Sequence, residues 1–108
     1  MEPANILLKR LYEVTEKHPD RWSEATSDMS FRLTQPRPIH IGQYVDKDNF
    51  GFIRILLFEN HMIDQKIYIY QDQQPELYDK YVVFLLKIRE LVNSNLYGFF
   101  VNSIQEAI

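Results

Sequence analysis

Apolar residues recur along this chain with two different periods, and each period marks the element to expect. From Pro3 to Lys17, Leu7, Leu11 and Val14 fall on one stripe that Leu8 and Tyr12 widen, while Lys9, Arg10, Glu13, Glu16 and Lys17 face the other way. That spacing predicts an amphipathic helix. Pro3 stands where a missing N–H costs nothing, and Pro19 disfavours helical geometry at His18, so the helix should end there. A helix of this length is marginal alone in water and must dock its stripe on something.

Residues 20–28 are polar around a single large apolar group, Trp22, and suggest at most a short helical turn. From Met29 the period becomes two. Met29, Phe31 and Leu33 alternate with Ser30, Arg32 and Thr34, as in a half-buried strand, until Gln35-Pro36-Arg37-Pro38 ends it. Ile39 to Val45 predicts a second strand, and Asp46-Lys47-Asp48-Asn49 a turn in which Asn49 tolerates a positive φ. In the third strand, Phe50 to Phe58, Ile53, Ile55 and Leu57 share one face and Phe52, Arg54, Leu56 and Phe58 the other. Both faces are largely apolar, which predicts a central strand with partial cover on its second face. Glu59 to Gln65 reads as a polar connection, and Lys66 to Tyr70 as a fourth strand with Ile67 and Ile69 opposite Tyr68 and Tyr70.

After Pro75 the helical period returns. Leu77, Tyr81, Phe84, Leu85, Ile88, Leu91 and Val92 form one stripe, with Glu76, Asp79, Lys80, Lys87 and Glu90 opposite and Val83 the one misfit. A strand over the same residues would leave Val83 and Leu85 pointing outward, so a helix is expected from about 75 to 94. Asn93-Ser94-Asn95 should stop it, and Leu96 to Ser103 should close the fold as a short strand. These elements predict an α+β fold: an N-terminal helix, an antiparallel sheet of four to five strands, and a long helix near the C-terminus packed on one sheet face. An OB-like β-barrel with a helical N-terminal extension is the alternative.

Length and composition narrow the function classes. At 108 residues one domain, 1–108, is expected, and 45% hydrophobic with 25% charged residues suits a folded chain. There is no cysteine, so disulfides and thiolate chemistry are removed together. Neither a leader-like start nor an apolar run of membrane-spanning length is visible, which predicts a cytoplasmic protein without a membrane partner. The net charge of -3 works against general attraction to nucleic acid, and the acid excess lies in residues 39–108, with six Lys/Arg against nine Asp/Glu.

Candidate catalytic groups are sparse. His18, His40 and His61 share no ligand spacing, Gly42, Gly51 and Gly98 form no phosphate loop, and Asp46 and Asp48 read as turn residues. No catalytic, metal or cofactor-binding residue is expected, and the chain reads as a non-enzyme.

The rings carry more information. Phe50, Phe52, Tyr68 and Tyr70 occupy alternate positions of two strands that should pair, which would gather them on one sheet face, as in β-sheet modules that stack unpaired bases. Asn49-Phe50-Gly51-Phe52-Ile53 resembles the core of the RNA-binding motif of cold-shock domains, and Ile67-Tyr68-Ile69-Tyr70 falls where their second aromatic strand would lie. That resemblance covers fewer than ten residues and implies single-strand binding by the four rings. The residues themselves point first to a protein-binding module, a regulator, adaptor, chaperone-like or inhibitor/immunity-type protein. It would act through Phe52, Leu56, Phe58, Tyr68 and Tyr70, on another protein or on a second copy as a homodimer. The alternative is a single-stranded nucleic-acid binder using Phe50, Phe52, Tyr68 and Tyr70.

Overall fold

The structure is a computed structural model that describes residues 3–25, 29–34 and 37–107, with side chains as far as residue 94. Helix α1 spans Pro3–Lys17 and is followed by a single 3-10 turn at Pro19–Arg21. Five strands come next: β1 Trp22–Glu24, β2 Ser30–Leu33, β3 Ile39–Val45, β4 Gly51–Glu59 and β5 Met62–Tyr70. Helix α2, Pro75–Ala107, completes an α+β fold.

The strands form an antiparallel meander in the order β1-β2-β3-β4-β5. Since β1 and β5 are opposite edges and do not pair, the sheet stays open and the barrel alternative is not formed. Register assigns the faces. Phe31, Ile41, Ile55 and Ile67 lie in one row across four strands, and Leu33, Ile39 and Leu57 in the next. Most of these aliphatic positions are buried, and α2 meets them with Leu77, Tyr78, Tyr81, Phe84, Leu85, Ile88 and Val92. Seven such side chains, at about 1.5–3 kcal/mol each, make this helix the principal cover of the sheet.

Helix α1 joins the same cluster through Ala4, Leu8 and Leu11. Its buried Thr15 donates to the Leu11 carbonyl at 2.7 Å and accepts from Trp22 Nε1 at 2.9 Å. Tyr81 Oη donates to the Ala4 carbonyl at 2.6 Å, and burial pushes its pKa up, so the phenol remains a donor that clasps the two helices. Tyr12 and Trp22 both meet the Phe84 ring edge-on, with centroids 4.8 and 5.8 Å away.

Three local expectations change. The short helical turn is confined to Pro19–Arg21, and Trp22, 3% exposed, opens a short edge strand, β1. Glu59 to Gln65 is not a connection: β4 and β5 join through Asn60 and His61, whose φ values of 53° and 66° are those a two-residue hairpin turn requires. The polar residues that follow belong to an exposed edge strand, paired on one side only. Finally, α2 runs through Asn93-Ser94-Asn95 to Ala107, so no closing strand forms at Leu96–Ser103. Asn and Ser lower helix propensity by less than about 0.7 kcal/mol each, too little to end a helix already anchored on a core.

Candidate functional site

Among the described residues, both helices feed the cluster on one side of the sheet and leave the other face open. That open face consists of the alternate residues of the same strands. At the β3–β4 turn end, Tyr44, Phe52 and Tyr70 form one row across three strands. Ser30, Gly42, Arg54 and Tyr68 form the next, and Ser23, Arg32, His40, Leu56 and Lys66 the third.

The first two rows make a connected ring surface. Phe52 lies 5.7 Å from Tyr44, 5.3 Å from Tyr70 and 6.1 Å from Tyr68 by ring centroids, and Tyr68 stacks on Tyr70 at 6.4 Å. Gly42 sets the geometry at one side. The Tyr44 ring folds back over it so closely that a Cβ there would meet Tyr44 ring atoms at 2.7–2.8 Å. Arg54 then lies over the Tyr44 ring, its guanidinium carbon 4.6 Å from the centroid, and donates from Nη2 to Tyr44 Oη at 3.3 Å. Tyr44 Oη in turn donates to Ser30 Oγ at 3.3 Å. A planar cation is thus held on a ring before any ligand arrives, which reduces the ordering cost of binding.

Charge on this face opposes that of the whole chain. Arg54 stands in the second row and Arg32 and Lys66 in the third, and among the described residues no carboxylate occupies a register position in those rows. The nearby acids lie at the ends. Asp46 Oδ1 accepts from the backbone N–H groups of Asp48 and Phe50, both at 2.9 Å, in the turn beyond the rings. Beyond the opposite end, Asp64 is held by Arg37 at 2.7 Å, with Glu59 3.9 Å from the same guanidinium. His40 registers opposite Arg32 and its ring lies 4.8 Å from that of Phe58. Burial first, and then the charges of Arg32 and Arg54, hold its pKa below the usual 6.5, so it is neutral at pH 7.

The fold brings Phe52, Tyr68 and Tyr70 together from among the residues singled out in the sequence. Phe50 sits in the turn, 48% exposed, and joins none of the ring pairs. Leu56, 9% exposed, is floor rather than contact surface, and Phe58 lies beside His40, away from the main ring group. Tyr44, Arg54, Arg32, Lys66 and His40 complete the surface and were not singled out. The signal that reaches Tyr44 is register: a turn at Asp46–Asn49 sets Tyr44 opposite Phe52.

Among the described residues no group of three His, Asp or Glu side chains stands close enough to share a metal ion, and no helix is long and apolar enough to cross a membrane. Comparison of the chain with protein-family models, with curated proteins and with solved structures finds no match in any of the three. The cold-shock resemblance is therefore confined to its short segments.

Proposed function

We propose that this chain is a non-enzymatic binding module that holds single-stranded nucleic acid on the open face of its sheet. One observation carries the reading: four rings in contact, Tyr44, Phe52, Tyr68 and Tyr70, share a face with three cations and, among the described residues, no intervening carboxylate. Each base stacked on an aromatic ring contributes about 1–3 kcal/mol, and the cations beside the rings meet the phosphates. The overall acidity weakens long-range attraction without removing this local complementarity. A cytoplasmic setting belongs to the same reading.

A second reading is capture of a protein on this face, since Tyr and Arg on a rigid support are what interface centres use. The partner would be acidic. A symmetric homodimer through the face fits less well, because it brings together two copies of a patch that carries Arg32, Arg54 and Lys66 and, among the described residues, no carboxylate to offset them.

Fluorescence anisotropy with a labelled oligothymidylate of about 12 nucleotides, within the range of single-strand site sizes, tests the proposal. Three phosphates neutralised on a single strand give a slope of about -2 in log K against log salt, or roughly a twentyfold loss between 50 and 200 mM. Absence of binding at low salt sinks the reading. Equal competition by polyglutamate, with no effect of Tyr68→Ala, favours the acidic-protein reading instead.

A further inference from the structure

The third row of the open face has a use of its own. Arg32 and His40 are direct cross-strand partners, so their Cβ atoms lie about 4.5–5.5 Å apart, and Lys66 stands on the far side of Leu56, about 10 Å away across two strand spacings. Leu56, nearly buried, forms a low floor between them. Two long cationic side chains and an imidazole are therefore in one cross-strand row around Leu56, next to the rings that would take the bases. Imidazole is the one group in the row whose charge changes near neutral pH.

We infer that His40 is a proton-linked phosphate contact: a backbone phosphate of the bound strand, seated between Arg32, His40 and Lys66, draws a proton onto His40, and binding tightens as the solution is acidified. The inference rests on the single-strand reading of this face. In the free protein the groups facing His40 are Arg32 from β2, Arg54 and Phe58 from β4, Ser23 from β1 and, across Leu56, Lys66 from β5. None of them is an acid, and among the described residues neither helix contributes one, since their described core side chains pack on the other side of the sheet. Arg32 and Arg54 disfavour the imidazolium while no phosphate is bound. A phosphodiester reverses that balance, since an anion within a few ångströms stabilises the charged form.

Linkage fixes the sign and the limit. If the bound complex holds one more proton than the free protein, affinity rises on acidification, by at most about tenfold per pH unit, in the interval between the free and bound His40 pKa values. Above the bound value it is flat.

Oligothymidylate is the suitable probe, because thymine bases and phosphodiesters do not titrate between about pH 5.5 and about pH 8, the ordinary histidine range. Two readouts are needed: the dissociation constant across this interval, and the titration midpoint of the His40 ring followed by NMR with and without saturating strand. His18 and His61, which lie off this face, serve as reference signals. The expected result is binding that strengthens as pH falls, a His40 midpoint that rises on saturation, and loss of the pH slope in His40→Gln. Binding that is equal across the range, an unmoved His40 midpoint under saturation, or a slope that survives in His40→Gln overturns the inference while leaving the stacking reading intact. No binding at any pH overturns both. The wild-type midpoint decides the matter even where the variant does not fold.

Discussion

The two faces of one sheet are built from alternate residues of the same strands, yet they follow different chemistry. Toward the helices stand Ile41, Ile53, Ile55 and Ile69, each at most 1% exposed. Away from them stand Tyr44, Phe52, Tyr68 and Tyr70, with Arg54 laid on a ring. Branched aliphatic side chains fill a core because they pack densely and carry no polar atoms; rings and guanidinium groups provide flat surface, polar tips and charge, which a core would have to satisfy. The difference teaches that apolar residues on both faces of a strand need not mean cover on both. One face stabilises the fold, and the other is free to bind.

Substitutions separate the two roles, beginning with the largest effect. Phe84→Ala removes the ring that Tyr12 and Trp22 both contact edge-on and should cost about 3–5 kcal/mol of stability in urea unfolding. Tyr68→Ala, at a side chain 46% exposed, should leave stability within about 1 kcal/mol while weakening strand binding by about 1–3 kcal/mol. If Tyr68→Ala unfolds the chain as Phe84→Ala does, the division of the faces is wrong.

Two glycines of adjacent strands sharpen the contrast. On the covered side, a Cβ at Gly51 would lie 2.6 Å from Tyr78 Oη and 3.1 Å from Gln71 Oε1, and the buried Tyr78 hydroxyl already accepts from Gln43 Nε2 at 2.7 Å. Gly51→Ala should therefore cost about 1–3 kcal/mol through overpacking. On the open side, the three atoms nearest a Cβ at Gly42 all belong to the outer end of the Tyr44 side chain, which can swing away. Gly42→Ala should melt within a few degrees of wild type but lose the Tyr44–Arg54 arrangement, and with it much of the strand affinity. Similar melting losses for both variants would contradict this.

The smallest expected effect is on acid stability. The pKa of His40 is lowered in the folded state, so as pH falls below about 6.5 the unfolded chain takes up its proton first. Stability is thus lost on acidification from the unfolded value down through the folded one and is unaffected by this group above it. Chemical denaturation at several pH values should show a shallower acid-side decline in His40→Gln; an unchanged decline would mean that burial, Arg32 and Arg54 together do not hold the His40 pKa down.

Much of the covered face is legible in the sequence, because burial writes itself as period. The α1 stripe, the Ile53-Ile55-Leu57 alternation and the stripe from Leu77 to Val92 each follow from local spacing. Elements without a clean period are harder. β1 is three residues long, the first half of β5 is polar because it is an exposed edge, and α2 crosses Asn93-Ser94-Asn95 because no proline stands there to break it. The open face is only half legible. Phe52, Tyr68 and Tyr70 come from alternation within strands, whereas Tyr44 and Arg54 join them through pairing between strands, which local patterns do not contain. Net charge misleads for a related reason: it averages over a surface on which the cations of one face are separated from Asp46 in the turn at one end and from Asp64, paired with Arg37, at the other.

The most direct test of the open face as the binding surface is backbone amide shift mapping by NMR during titration with oligothymidylate. The account predicts saturable changes at Tyr44, Phe52, Arg54, Tyr68 and Tyr70, with His40 and Lys66 following and the outward residues of α2, such as Lys80 and Val83, unmoved. Changes concentrated on the helices, or none at saturating strand, would contradict it.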